Sequence, residues 1–180
     1  MRFRVTAAVL AVFLLAGPSI TAEAKAYPSA RFIPKAETYL SEEIQASCDK
    51  YAEEYGISRY VLYALIEVES SGRQYVTSPS GTCKGLCQVN DKIHAERMER
   101  LGVTDIYDID GNIHVATDYL MELAEESGYG DISYVLDRYN GNSKAAYYLE
   151  NGILSKYAKK ILDRAFELET WVEVSANAKG

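Results

Sequence analysis

From residue 41 onward the apolar positions of this chain recur at intervals of three and four, the spacing that keeps one face of a helix dry. Ser41, followed by Glu42 and Glu43, opens a predicted helix whose apolar face is Ile44, Cys48, Tyr51 and Tyr55, and Gly56 stops it. Ser58 caps a second helix, from Arg59 to Ser71, which Gly72 ends. The same grammar predicts a helix from His94 to Leu101 stopped by Gly102, and another from Ile113 to Glu126 with Ile113, Ala116, Leu120, Leu123 and Ala124 on one face. Asp131 opens a helix from Ile132 to Tyr139, and Ser143 and Ser155 have the position of caps for two more. No convincing run alternates apolar with polar residues, and turn signals between strands are missing. The expected fold class is therefore all-α, with six or more helices and one loop-rich stretch from Gly72 to Asp91. No internal repeat interrupts it.

The first 40 residues depart from this pattern. Arg2 and Arg4 precede an apolar run from Val5 to Ala16, a Gly17-Pro18 break and Ala22-Glu23-Ala24, which has the small-x-small form of a signal-peptidase site. A membrane anchor is the alternative, but spanning needs roughly 20 apolar residues, more than this run supplies. Residues 1–24 are read as a signal peptide and 25–40, with two prolines and no sustained period, as a linker. One catalytic domain is expected over 41–175 and a tail over 176–180. The mature protein is expected outside the cytoplasmic membrane, without stable membrane insertion.

Charge and cysteine usage narrow the chemistry. Removing Arg2, Arg4 and Glu23 from a net charge of −7 takes away two positive charges and one negative, leaving a more acidic domain that repels nucleic acid. Cys48, Cys83 and Cys87 make an odd count, so at most one intramolecular disulfide can form. Buried free thiols, or one bridge from Cys48 to the Cys83–Cys87 loop, are both open. With two histidines, His94 and His114, and no C-x-x-C pair, the spacing of a zinc site is missing. No metal or other cofactor is expected. The two histidines sit among polar helical residues and read as solvated.

The second helix holds the most informative residue. With about 100° per residue and Leu62 as origin, Leu65 lies at about −60°, Ile66 at about +40° and Glu69 at about −20°. Glu69 thus sits in the middle of the apolar stripe, whereas Glu67 lies at about +140°, on the flank away from it. A carboxyl on such a stripe, at the negative end of a helix, has its pKa raised by desolvation and by the helix dipole. A general acid at neutral pH needs that property, and a structural carboxyl paired with a buried Arg, Tyr or amide would share the position. Directly after it come Ser78-Pro79-Ser80-Gly81 and Gly85-Leu86-Cys87-Gln88-Val89, a glycine-rich loop able to approach a ligand and offer hydroxyl and amide donors.

Four motifs now stand in order: Ala64-Leu65-Ile66-Glu67-Val68-Glu69-Ser70; Gly85-Leu86-Cys87-Gln88; Asn112-Ile113 with Ala116, Tyr119 and Leu120; and Tyr139-Asn140-Gly141. In that order and with similar gaps, roughly from Ser41 to Glu169, the chain resembles the soluble lytic transglycosylase (SLT) domain. The resemblance implies a lysozyme-like, mostly helical fold related to goose-type lysozyme. It also implies cleavage of the β-1,4 bond between N-acetylmuramic acid and N-acetylglucosamine in peptidoglycan, leaving a 1,6-anhydromuramyl end. By position, Glu69 matches the family's catalytic glutamate, and Ser78 a serine that contacts the muramyl N-acetyl group. Gln88 matches a glutamine of the cleft, Tyr139 a tyrosine whose hydroxyl lies near the catalytic carboxyl, and Asn112 an asparagine that opens a scaffold helix.

Several positions depart from the pattern. Cys87 stands for the usual Met, Ala116 for Gly, and Arg138 for the Ala before Tyr139, which alters the charge of the groove. Some members carry an acidic residue shortly before the tyrosine matching Tyr157; Ile153-Leu154-Ser155-Lys156 has none. A single marked carboxylate suits a reaction whose nucleophile is supplied by the substrate, since water-adding glycosidases usually use two. Fifteen tyrosines offer stacking faces for sugars; Tyr139 is expected at the catalytic carboxyl and Tyr147 at the groove wall. The expected partner is peptidoglycan glycan, and the expected state a monomer. A hydrolytic lysozyme, a cysteine hydrolase using Cys87, and a non-catalytic glycan-binding module remain alternatives.

Overall fold

The structure, a computed structural model, describes residues 31–34, 36–128 and 131–174. The expected signal peptide and the tail lie outside these residues. Seven helices among them account for nearly all the regular structure: α1 (Glu42–Tyr55), α2 (Arg59–Glu69), α3 (Ala95–Leu101), α4 (Ile109–Glu126), α5 (Ile132–Tyr139), α6 (Ala145–Glu150) and α7 (Lys156–Glu169). Two short strands, β1 (Arg31–Pro34) and β2 (Trp171–Val174), pair antiparallel with Arg31 opposite Val174 and Pro34 opposite Trp171. This pairing was not expected, because its two halves lie at opposite ends of the domain and neither carries a local hairpin signal.

The caps explain most helix limits. The Ser41 hydroxyl accepts from the Ile44 amide, and Gly56 ends α1 in the left-handed conformation at φ 71°. Asp131 and Ser155 accept from the amides of Ser133 and Ala158, as expected for caps. Ser143 does not cap α6; Lys144 takes that place, and the side chain of Asn142 accepts the Lys144 amide instead. Helix α2 stops at Glu69, two residues earlier than expected, and Ser71 and Gly72 turn the chain with φ of 56° and 73°. Helix α4 starts four residues earlier than expected, because Asp108 caps it through the Gly111 amide and Gly111 lies inside its first turn.

Helix α2 is the axis of the domain. It packs on α7 and α1, while α4 packs on α1, α3 and α5, and α5 reaches α6 and α7. Every residue from Val61 to Glu67 is buried, so α2 is enclosed on all sides rather than along one stripe. That enclosure corrects the reading of Glu67, which is buried rather than turned to the outer flank. Arg164 of α7 pairs with it at 2.6 Å and the Thr38 hydroxyl donates to it at 2.7 Å. The last residues of the expected linker are thus fastened to the domain: Leu40 is buried and the Glu37 carbonyl accepts from Arg164.

Candidate active site

The C-terminal turn of α2 delivers Glu69 to the point where α7 and the 72–91 loop meet it. Its carboxyl is half-buried, and the Tyr157 hydroxyl, from the first turn of α7, donates to Oε1. Among the described residues no group bonds Oε2, which is not sealed from solvent. Burial raises the pKa of Glu69 above the ordinary carboxylate range; the Tyr157 hydroxyl and the positive charge of Lys160 partly offset the rise. Tyr157 and Lys160 stand three apart on α7 and so share the face that looks at Glu69.

Tyr139 stands beside Glu69 but bonds the loop rather than the carboxyl. Its hydroxyl donates to the Cys87 carbonyl oxygen at 2.7 Å, and the hydrogen bond to Glu69 comes from Tyr157 instead. Tyr139 remains close enough for the charge of Glu69 to raise its pKa, behind the larger effect of burial. It therefore fixes the loop beside the acid, and its ring leans on Tyr119 at 5.6 Å.

The loop itself is a narrow ribbon. Lys84 and Val89 exchange amide and carbonyl bonds at 2.9 and 3.0 Å, and Gly85 donates to the Val76 carbonyl at 2.9 Å. Asn112, fully buried near the start of α4, holds it from behind: its Oδ1 accepts the Cys87 amide at 2.8 Å, and its Nδ2 donates to the carbonyls of Ile106 at 2.7 Å and Lys84 at 3.1 Å. Only glycine fits at 85, where φ is 76° and a Cβ would collide with the Asn112 amide. Gln88 adopts a left-handed φ of 51°, which costs a residue with a Cβ on the order of 1–2 kcal/mol. Its side-chain amide donates to the Gly85 carbonyl at 3.0 Å. Strain of this kind is characteristic of functional loops.

Ser78 is half-buried at the mouth of the same loop, where its hydroxyl accepts the Cys83 amide at 3.0 Å and meets Ser80 Oγ at 3.1 Å. Tyr147 lies apart: it is 55% exposed on α6, its ring 6.0 Å from that of Tyr148, and no hydrogen bond or ring contact ties it to Glu69, Ser78, Gln88 or Tyr139. Two open clefts border the region. One, of about 410 Å³, is lined by Tyr39, Val68, Lys160 and Arg164, and the other, of about 420 Å³, by Tyr119, Tyr134, Arg138 and Asn142.

Cys48, Cys83 and Cys87 are free thiols. Cys87 is 1% exposed, and burial pushes its thiol well above the ordinary range, which disfavours the thiolate a cysteine hydrolase needs. The two histidines are half-buried rather than solvated: His114 stacks on Tyr51 at 4.3 Å, and His94 lies 4.5 Å from the Tyr119 ring. Burial lowers the pKa of both. Tyr157 and Lys160 were given no role from the sequence. Their spacing on α7 was legible, but their approach to Glu69 depends on a packing between residues 88 positions apart.

A family model described as the transglycosylase SLT domain matches residues 46–160 of this chain. Among solved structures, the chain is similar to that of an inactive mutant of the lytic transglycosylase Slt from Pseudomonas aeruginosa, at 16% identity and a TM-score of 0.58. The alignment covers 73% of this chain and 24% of the other, so this chain spans about a quarter of that protein's length. A search of curated proteins finds no match. The structural likeness bears out the all-α, lysozyme-like fold class.

Proposed function

This chain belongs to the transglycosylase SLT domain family, and on that premise we propose that it cleaves the β-1,4 bond between N-acetylmuramic acid and N-acetylglucosamine in peptidoglycan, with Glu69 as acid and then base. The observation that carries this reading is the state of Glu69: half-buried, raised in pKa, held through Oε1 by Tyr157 and unbonded at Oε2. A carboxyl whose pKa is raised by burial holds its proton to higher pH and can give it to the leaving glycosidic oxygen. The acetamido oxygen of the muramyl residue then supports the positive charge developing at C1. Glu69, now ionised, takes the proton of the muramyl 6-hydroxyl as its oxygen closes on C1. The intramolecular hydroxyl has a large advantage over external water in effective concentration.

Two other carboxylates nearby fit the one-acid scheme, because both are more enclosed than Glu69 and bonded within the fold. Glu67 is paired with Arg164 and Asp137 accepts from Ser155. Ser78 and Gln88 are assigned to the loop wall that receives the acetamido group, Tyr139 to holding that loop, and Tyr147 to the outer groove. The protein acts outside the cytoplasmic membrane, as an exported monomer without a cofactor. Among the described residues no helix is long and apolar enough to cross a membrane.

Digestion of purified sacculi in water enriched in oxygen-18, followed by mass spectrometry of the soluble fragments, tests the reaction. The expected products are 1,6-anhydromuramyl ends carrying no heavy oxygen. Reducing muramyl ends with one heavy oxygen would identify a hydrolytic lysozyme, and the absence of products would identify a glycan-binding module.

A further inference from the structure

Asp137 is a buried carboxylate that the scheme above does not use. It lies two residues before Tyr139 on α5, with 2% of its surface exposed. The Ser155 hydroxyl donates to its Oδ1 at 2.5 Å. A charge so placed is costly to bury unless it is paired or hydrogen-bonded, and holding one serine for packing alone does not require it. Ser155 is the cap of α7: the same hydroxyl accepts the Ala158 amide at 3.0 Å, and the Ser155 carbonyl accepts the Lys159 amide at 2.9 Å. Because a serine hydroxyl has one proton, donating it to Asp137 fixes its rotation and aims its lone pairs at the helix N-terminus. Residues 151–154, which lead into α7, are exposed, and the Asp137–Ser155 bond ties the start of α7 to α5. Two residues past it, in the same turn, Tyr157 donates to Glu69.

We infer that Asp137 is a positioning residue for Glu69, acting through Ser155 and the first turn of α7 to keep the Tyr157 hydroxyl on the carboxyl. This inference builds on the assignment of Glu69 as the acid, yet the linkage itself needs no substrate to be measured. The charged and titratable groups that face Glu69 are Tyr157 and Lys160 from α7, Cys87 from the loop and Tyr139 from α5. Asp137 bears on Tyr157, whose pKa is raised first by burial and then by the charge of Glu69, with Asp137 adding to them.

The test is titration of the Glu69 side-chain carboxyl by carbon-13 NMR in the full protein and its variants. The Tyr157 hydrogen bond favours the ionised form, so loosening it raises the titration midpoint of Glu69. Asp137→Ala is expected to move the midpoint upward by about 0.5 in pH or more. A direct through-space effect of removing a negative charge would move it downward, so the sign separates the two routes. Ser155→Ala, which leaves Asp137 in place, is expected to give the same upward move, and Ser155→Thr to restore the original midpoint. On a Tyr157→Phe background, Ser155→Ala is expected to add nothing. A downward move or none in Asp137→Ala, an unchanged midpoint in Ser155→Ala, or a full additional move on the Tyr157→Phe background would each overturn the inference. If Asp137→Ala does not fold, the Ser155 variants decide alone. A protein that titrates as expected yet cleaves no glycan would count against the proposed reaction and not against this linkage.

Discussion

Replacing Asn112 with alanine should cost the domain about 3 kcal/mol, and the structure shows where that comes from. Asn112 is fully buried and satisfies three backbone groups: the Cys87 amide and the carbonyls of Ile106 and Lys84. The Lys84 carbonyl keeps the Val89 amide as a partner, so two groups are orphaned, those of Cys87 and Ile106. Each buried group left without a partner costs about 1–3 kcal/mol, and the vacated side-chain volume adds a smaller amount. For a domain of this size a loss of about 3 kcal/mol lowers Tm by about 6–12 °C. Urea unfolding followed by circular dichroism measures the free energy, and hydrogen exchange of the Cys87 amide reports whether the loss is local to the loop. Asn112→Asp, which keeps the acceptor for Cys87 but aims a carboxylate at two carbonyls, should be at least as destabilising. A cost below about 1 kcal/mol for Asn112→Ala, with Cys87 still protected from exchange, would refute the idea that this side chain holds the loop in place.

Three further outcomes are expected. The folded-state pKa of Glu69 is raised by burial, so its contribution to stability is present below the ordinary carboxylate pKa and is lost as pH rises through the folded value. Glu69→Gln should therefore be more stable than wild type at pH 7, with the gap closing near pH 4, as urea titrations at the two pH values would reveal. Arg164→Met strands Glu67, whose side chain is 6% exposed, with only Thr38 as partner; a destabilisation of about 3 kcal/mol is expected, and a change within about 0.5 kcal/mol would mean the pair is dispensable. A thiol reagent should modify Cys83 rapidly in the native protein and reach Cys48 and Cys87 after unfolding, since those two are 0% and 1% exposed.

Much of the helical plan was legible because its punctuation is local. Ser41 and Gly56 bracket α1, Asp131 opens α5 and Ser155 opens α7, each through a side chain or a left-handed glycine acting on its own neighbours. The start of α4 was missed because Asp108, Asp110 and Gly111 look like a turn. In the structure Gly111 is helical, and a Cβ there would come within 2.8 Å of Val103 Cγ1. The strand pair was invisible because its partners are separated by the whole domain. At the site, Glu69 could be read from the wheel, whereas its neighbours could not. Tyr157 reaches Glu69 across 88 positions, and Arg164 buries Glu67 across 97. The wheel treated α2 as amphipathic, and burial on all its sides is a property of the elements around it.

Among all these contacts, the claim that most depends on a single atom group is that the Glu69 carboxyl carries the reaction. Release of anhydromuropeptides from sacculi by Glu69→Gln, measured with a variant whose circular dichroism and Tm confirm the native fold, tests it directly. Glutamine preserves shape and can still accept the Tyr157 hydroxyl but has no proton to give, so release should fall at least about a hundred-fold. Release at the wild-type rate from the folded variant would contradict the assignment of Glu69 as the acid and base.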